Sequence, residues 1–136
     1  MRTKSTARRW LAVAVIAHLL VSLVHGAAHA GARIPMTLAA NLYVWIVILI
    51  GPLAGLWLSR SRPAAGGWVV AATMAGSLGF GIVNHYVIVG PDHVSHVAAQ
   101  WRTQFGVTAA LLVVTELAGV AVGVLCAGAG RYVTSD

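Results

Sequence analysis

Five of the six histidines in the chain fall at one end of its apolar segments. Neutral imidazole is a preferred ligand of zinc, copper, iron and nickel ions. Because polar side chains are costly in lipid, those found within membrane helices usually serve a function. The distribution predicts a metal or haem site near one face of a membrane bundle. The histidines concerned are His25, His29, His85, His93 and His96.

The first apolar segment carries a polar stripe made of His18, Ser22, His25 and His29. At about 100° per residue, this spacing keeps the four side chains within about 60° of one another on a helix. His25 and His29 are four residues apart, so both imidazoles can reach one ion. Each buried imidazole needs a polar partner, and we therefore expect the stripe to face the interior of the bundle.

The residues after the third apolar segment supply the rest of the predicted site. Gly90 can end one helix and Pro91 can begin another, so we expect a short helix along the membrane interface over residues 91–101. Val97 would face the lipid. The metal ligands predicted from this segment, besides His85 before it, are Asp92, His93 and His96.

Two carboxylates have predicted roles beside these histidines. Asp92 precedes His96 by four residues and is expected to orient it or to bind the metal itself. Glu116 is the only charged residue inside a predicted span. An ionisable group at that depth needs a partner, and His18 lies at a similar depth in the first helix. The two residues are predicted to form a hydrogen-bonded pair or a proton path.

The overall composition excludes an ordinary soluble domain. Hydrophobic residues make up 59% of the chain and charged residues 9%, whereas soluble domains carry about 25% charged residues. Four stretches reach the roughly 20 residues that a spanning helix needs, at residues 10–30, 36–58, 68–89 and 105–126. The predicted fold is an all-α membrane protein. It is a four-transmembrane-helix bundle in one domain over residues 1–136, with a short interfacial helix before the fourth span.

The basic residues orient this bundle. Apart from Arg33 and Arg102, they fall on the side opposite the five histidines, and the positive-inside rule assigns that side to the cytoplasm. We expect a protein integral to the cell (inner) membrane, with both termini cytoplasmic and the histidines near the extracytoplasmic face. An A-x-A sequence at residues 28–30 also fits a signal-peptide cleavage site, and cleavage there would remove the polar stripe.

The predicted cofactor is a transition metal ion (Zn, Cu or Fe) or a b-type haem held by His25 or His29 opposite His85. The leading hypothesis is a small membrane protein for metal binding or electron transfer. The alternatives are an accessory or structural subunit of a larger membrane complex, and a proton-coupled transporter or pH sensor using Glu116 and His18. A membrane metalloenzyme also stays open, although no catalytic residue follows from the sequence.

The expected partners are the lipid bilayer and either a larger membrane complex or further copies of the chain. Binding to nucleic acid is not expected. It would require basic residues clustered on one folded face, and here they lie in separate segments between the apolar runs.

Overall fold

A computed structural model of the chain describes residues 2–131, with side chains over residues 5–129. Within that part of the chain, four helices are long and apolar enough to cross a membrane, which confirms the predicted all-α bundle. We label them α1 to α4 in chain order. They are α1 (Arg2–Gly31), α2 (Leu38–Leu58), α3 (Pro63–Val87) and α4 (Ala99–Arg131).

The connection between α3 and α4 differs from the prediction. Residues 91–98 form a series of turns and bends, and helix α4 begins at Ala99. The short interfacial helix predicted at 91–101 is therefore not formed as such, because only its last three residues are helical and they belong to α4. Val97 is 1% exposed and packs on Ala28 and Phe105, so it faces the bundle and not the lipid.

One end of the bundle is held together by close contacts at glycines. A Cβ atom added to Gly67 would lie 2.5 Å from the carbonyl oxygen of Gly123, and one added to Gly123 would lie 2.8 Å from that of Gly67. Small residues allow membrane helices to approach closely in this way. We call this end the glycine half. It contains Gly55, Gly66, Gly67, Gly119 and Gly123 around the buried Leu11, Val15, Val70, Met74 and Cys126.

Helix α2 contains a π-helical stretch over Val44–Ile50, which ends two residues before Pro52. Proline has no N–H, so the carbonyl oxygen of Ile48 lacks the donor that a regular helix would supply from position 52. The Nε2 atom of His18 lies 3.0 Å from that oxygen and donates to it. The sequence of α2 thus creates an acceptor that a histidine of α1 fills.

Helix α1 ends in a Schellman motif that directs the chain into α2. Arg33 adopts a left-handed conformation, with φ at 54°. Its N–H lies 3.2 Å from the carbonyl oxygen of Ala30, and the N–H of Ile34 lies 3.1 Å from that of His29, which is the bonding pattern of this motif. The turn fixes the end of α1 immediately after the two histidines predicted as metal ligands.

Candidate metal centre

Three predicted ligands from two helices meet at the end of the bundle opposite the glycine half. One imidazole nitrogen from each of His25, His29 and His85 lies within 4.8 Å of the other two, an arrangement that could hold a metal ion. His25 and His85 are buried, and His29 is partly buried. We call this end the histidine half. It contains His25, His29, His85, Asp92, Val97 and Phe105.

The Nδ1 atom of His25 has a hydrogen-bond partner on α4. The hydroxyl of Thr108 lies 2.7 Å from the carbonyl oxygen of Gln104 and 2.8 Å from Nδ1 of His25. When that hydroxyl donates to Gln104, its oxygen accepts from the Nδ1–H of His25. A neutral imidazole carries one proton, so the Nε2 atom of His25 has a free lone pair. Partners of this kind commonly orient metal-binding histidines.

The same reasoning applies to His85. Its Nδ1 atom lies 3.1 Å from the backbone carbonyl oxygen of Asp92, and this acceptor requires an N–H. The Nε2 atom of a neutral His85 therefore also has a free lone pair. It faces the Nε2 atom of His25 at 3.2 Å. Two lone pairs at that distance repel each other unless a proton or a metal cation lies between them.

His29 and Asp92 complete the same site with unsatisfied polar atoms. One carboxylate oxygen of Asp92, Oδ1, lies 3.2 Å from Nε2 of His29 and 3.2 Å from Nδ1 of His85. Neither approach is aligned as a hydrogen bond, and Oδ1 of Asp92 and Nδ1 of His29 are buried without a hydrogen-bond partner among the described residues. Buried polar atoms are normally paired. The site therefore has unused capacity to bind a cation.

Phe105 forms the apolar wall of the centre. Its ring centroid lies 4.7 Å from that of His25, 5.0 Å from that of His29 and 5.0 Å from that of His85. Phe105 is fully buried, and Val97 covers it from the turn segment. A dry wall lowers the local dielectric and strengthens the attraction between a cation and its ligands.

The structure positions His93 and His96 apart from the three-histidine group. Their rings contact each other, with centroids 5.8 Å apart. The Nδ1 atom of His93 lies 2.7 Å from the hydroxyl of Ser95, and Nδ1 of His96 lies 3.0 Å from the carbonyl oxygen of Gly90. The expectation that Asp92 orients His96 is wrong, because the turns at 91–98 direct its carboxylate to His29 and His85 instead.

A second polar group lies deeper in the bundle, where His18 and Glu116 meet as the sequence suggested. Nδ1 of His18 lies 3.8 Å from Oε1 of Glu116. The hydroxyl of Ser77 donates a short hydrogen bond to the same carboxylate oxygen. His18 uses its Nε2–H on Ile48, and its Nδ1 atom has no hydrogen-bond partner among the described residues. The group joins all four helices.

A cavity of about 560 Å³ connects the two polar groups. The three clustered histidines line one end of it, and Ser77 and Glu116 line the other. The walls between them are mainly apolar. Its volume lies within the range of small-molecule sites.

Sequence reasoning missed the groups that tune the centre. No spacing in the sequence links Thr108 to His25, which lies 83 residues earlier. Phe105 was assigned only as the first residue of a span. The sequence signal is Thr108 itself, a hydroxyl residue in a largely apolar span that also contains Thr115 and Glu116, and it does not identify its partner.

No protein-family model, curated protein or solved structure matches this chain.

Proposed function

We propose that this protein is a four-helix membrane protein that binds a divalent transition metal ion through His25, His29 and His85. Asp92 balances part of the charge of the ion. The observation that supports the proposal is the approach of two imidazole Nε2 atoms to 3.2 Å while both Nδ1 atoms have other partners. Two nitrogens bound to one tetrahedral zinc ion at about 2.05 Å lie about 3.3 Å apart.

A single ion fits this distance better than a haem between the same residues. A haem bound by His25 and His85 would hold their nitrogens about 4 Å apart, on opposite sides of a porphyrin ring. The two imidazoles would have to separate to admit the ring. Zinc, copper and iron all accept imidazole and carboxylate ligands, so the geometry supports an ion without selecting the element. On the topology expected from the basic residues, the ion would bind near the extracytoplasmic face.

The test is metal binding by the purified chain in detergent, measured by elemental analysis and by cobalt titration. We expect stoichiometric binding to the wild type and its loss in His85→Ala. The matched control is His96→Ala, because His96 has a backbone partner outside the cluster and should retain the metal. Equal metal content in both variants, or no metal in the wild type, would overturn the proposal.

Proton transfer at His18 and Glu116 is a second candidate function. It is favoured by the unpartnered Nδ1 of His18 at 3.8 Å from a carboxylate in an apolar surrounding. Two acceptors so close are stable only if they share a proton or another cation. The cavity adjoins both Glu116 and the three histidines, so a proton held by His18 and Glu116 could affect the metal centre.

Infrared difference spectroscopy tests this second candidate. A protonated carboxylic acid has a characteristic C=O stretch that shifts in D₂O. We expect such a band to change with pH in the wild type and to be absent in Glu116→Gln, which retains a side chain able to contact Ser77. Metal content should be unchanged in the variant. A band that is insensitive to pH, or that persists in Glu116→Gln, contradicts the idea.

A further inference from the structure

The cavity between the two polar groups is closed at the glycine half. It ends at the level of Ser77 and Glu116. Beyond that level the described interior is filled by Leu11, Val15 and Met74, all of which have no exposed surface. A cavity that ends inside the bundle accommodates a bound molecule and does not form a passage.

The residues that line the cavity indicate that the body of that molecule is apolar. Between the two ends, the walls are formed largely by Ile48, Leu49, Phe80, Leu112 and Val113. The lining also includes Leu23 and Trp45, which are 64% and 59% exposed on the outer surface of the bundle. In a membrane that surface faces lipid, so an apolar molecule can enter from the bilayer without crossing water.

The charges at the histidine end of the cavity indicate that the head group is anionic. A divalent ion on three neutral imidazoles retains two positive charges, and Asp92 offsets only one of them. The remaining charge of the ion is costly in an apolar environment. Arg33, an exposed residue, lines the same end of the cavity and adds a positive charge at its mouth. Asp92 lies outside the group of three ligand nitrogens. With Asp92 as a counter-charge and not a ligand, three histidines leave the fourth position of a tetrahedral ion open, and the cavity adjoins the same histidines.

We propose that the cavity binds a lipid-soluble molecule with an anionic oxygen head group, such as the carboxylate of a single-chain acid. The oxygen occupies the open position of the ion, beside Arg33, and the apolar body extends towards Glu116. This inference rests on the metal site proposed above. The carboxylate of Glu116 accepts a hydrogen bond from Ser77 and lies next to His18. The apolar end of the bound molecule therefore does not face an unpaired charge.

The experiment uses cobalt-loaded protein in nanodiscs of neutral phospholipid, because the visible absorption of Co²⁺ reports a change of ligands. Decanoate is the probe. Acetate supplies the head group without the tail, and decanol supplies the tail without the charge. We expect decanoate to change the cobalt spectrum at a concentration at least about ten-fold below that of acetate, and decanol to leave it unchanged.

Substitutions at two glycines of α3 distinguish binding in the cavity from simple enrichment of decanoate in the bilayer. Gly81 lines the cavity, and a Cβ atom there would have only His85 within 4 Å, at 3.9 Å. Gly81→Leu should fill the cavity and abolish the response to decanoate. A Cβ atom on Gly79 would meet nothing within 4 Å, so Gly79→Leu should retain the response. Leu112→Trp obstructs the same cavity from α4 and replaces Gly81→Leu if that variant loses cobalt.

The outcomes separate the two proposals. Failure of the wild type to bind cobalt refutes the metal site itself. Cobalt binding with equal responses to acetate and decanoate refutes the lipid-soluble ligand and leaves the metal site standing. A decanoate response that survives both cavity-filling variants also refutes the ligand site.

Discussion

The two halves of the bundle are stabilised by different means. In the glycine half, backbones approach so closely that Gly67 and Gly123 have no room for a side chain. In the histidine half, a cavity lies between the helices, and its lining includes imidazoles, hydroxyls and the carboxylate of Glu116. Close packing forms a rigid base, whereas polar groups with unused bonding capacity form a site. The glycine half packs the helices together, and the histidine half contains the candidate metal site.

The largest expected effect is on the glycine half. Gly67→Leu introduces a side chain whose Cβ atom would lie 2.5 Å from a backbone oxygen of α4. Because neither backbone can move without separating α3 from α4, we expect a loss of about 3 kcal/mol or more of stability. Thermal unfolding in detergent measures it. The control Gly79→Leu has open space around Cβ and should unfold like the wild type. Equal stability of the two variants would show that the glycine contacts do not hold this half together.

The next largest expected effect is on metal affinity in the histidine half, and the packing of the glycine half should be unchanged. Thr108→Val removes the acceptor that fixes the protonated nitrogen of His25. We expect metal affinity to fall by about 10- to 100-fold, as is typical when the partner of a metal-binding histidine is lost. Cobalt titration measures the affinity.

Thr115→Val is the matched control for that substitution. The hydroxyl of Thr115 donates only to backbone carbonyls of its own helix in the described structure, at 3.1 Å. The control should bind cobalt like the wild type. If Thr108→Val also binds normally, the hydrogen bond to His25 does not orient a metal ligand.

Acid should act on the histidine half through competition. Protons and metal ions bind the same imidazole nitrogens, so metal affinity falls as the pH is lowered and is recovered as it is raised. Cobalt release followed spectroscopically during an acid titration measures this effect. A cobalt spectrum that is constant down to the pH at which the protein unfolds would mean that imidazoles do not hold the ion.

The smallest expected effect lies at the turn between α1 and α2. Arg33 has a φ of 54°, a conformation that glycine adopts without strain. Arg33→Gly should therefore raise the stability by about 1 kcal/mol. Arg33→Ala removes the same side chain but retains the strain, so it should gain nothing. Comparing the thermal unfolding of the two variants isolates the contribution of the backbone conformation to stability. Equal melting temperatures would contradict the prediction.

Much of the fold could be read from the sequence, because lipid imposes few solutions on long apolar segments. The four spans and the polar stripe on α1 follow from segment length and from the helical repeat. The segment at 91–101 was harder to predict. Gly90 and Pro91 mark a change of direction, but whether the following residues form turns or a helix depends on packing against Phe105 and against Ala28, which is distant in sequence.

The sequence by itself determined the membrane bundle and the histidines as candidate ligands, through residue type and helical spacing. It also predicted the pairing of His18 with Glu116. Only the tertiary structure decided which histidines meet, since His85 approaches His25 across 60 residues of chain. It also supplied partners for their Nδ1 atoms, the hydroxyl of Thr108 and the carbonyl oxygen of Asp92, and a cavity beside them. The physical reason is that hydrogen-bond partners and empty volume belong to the packing of several helices together.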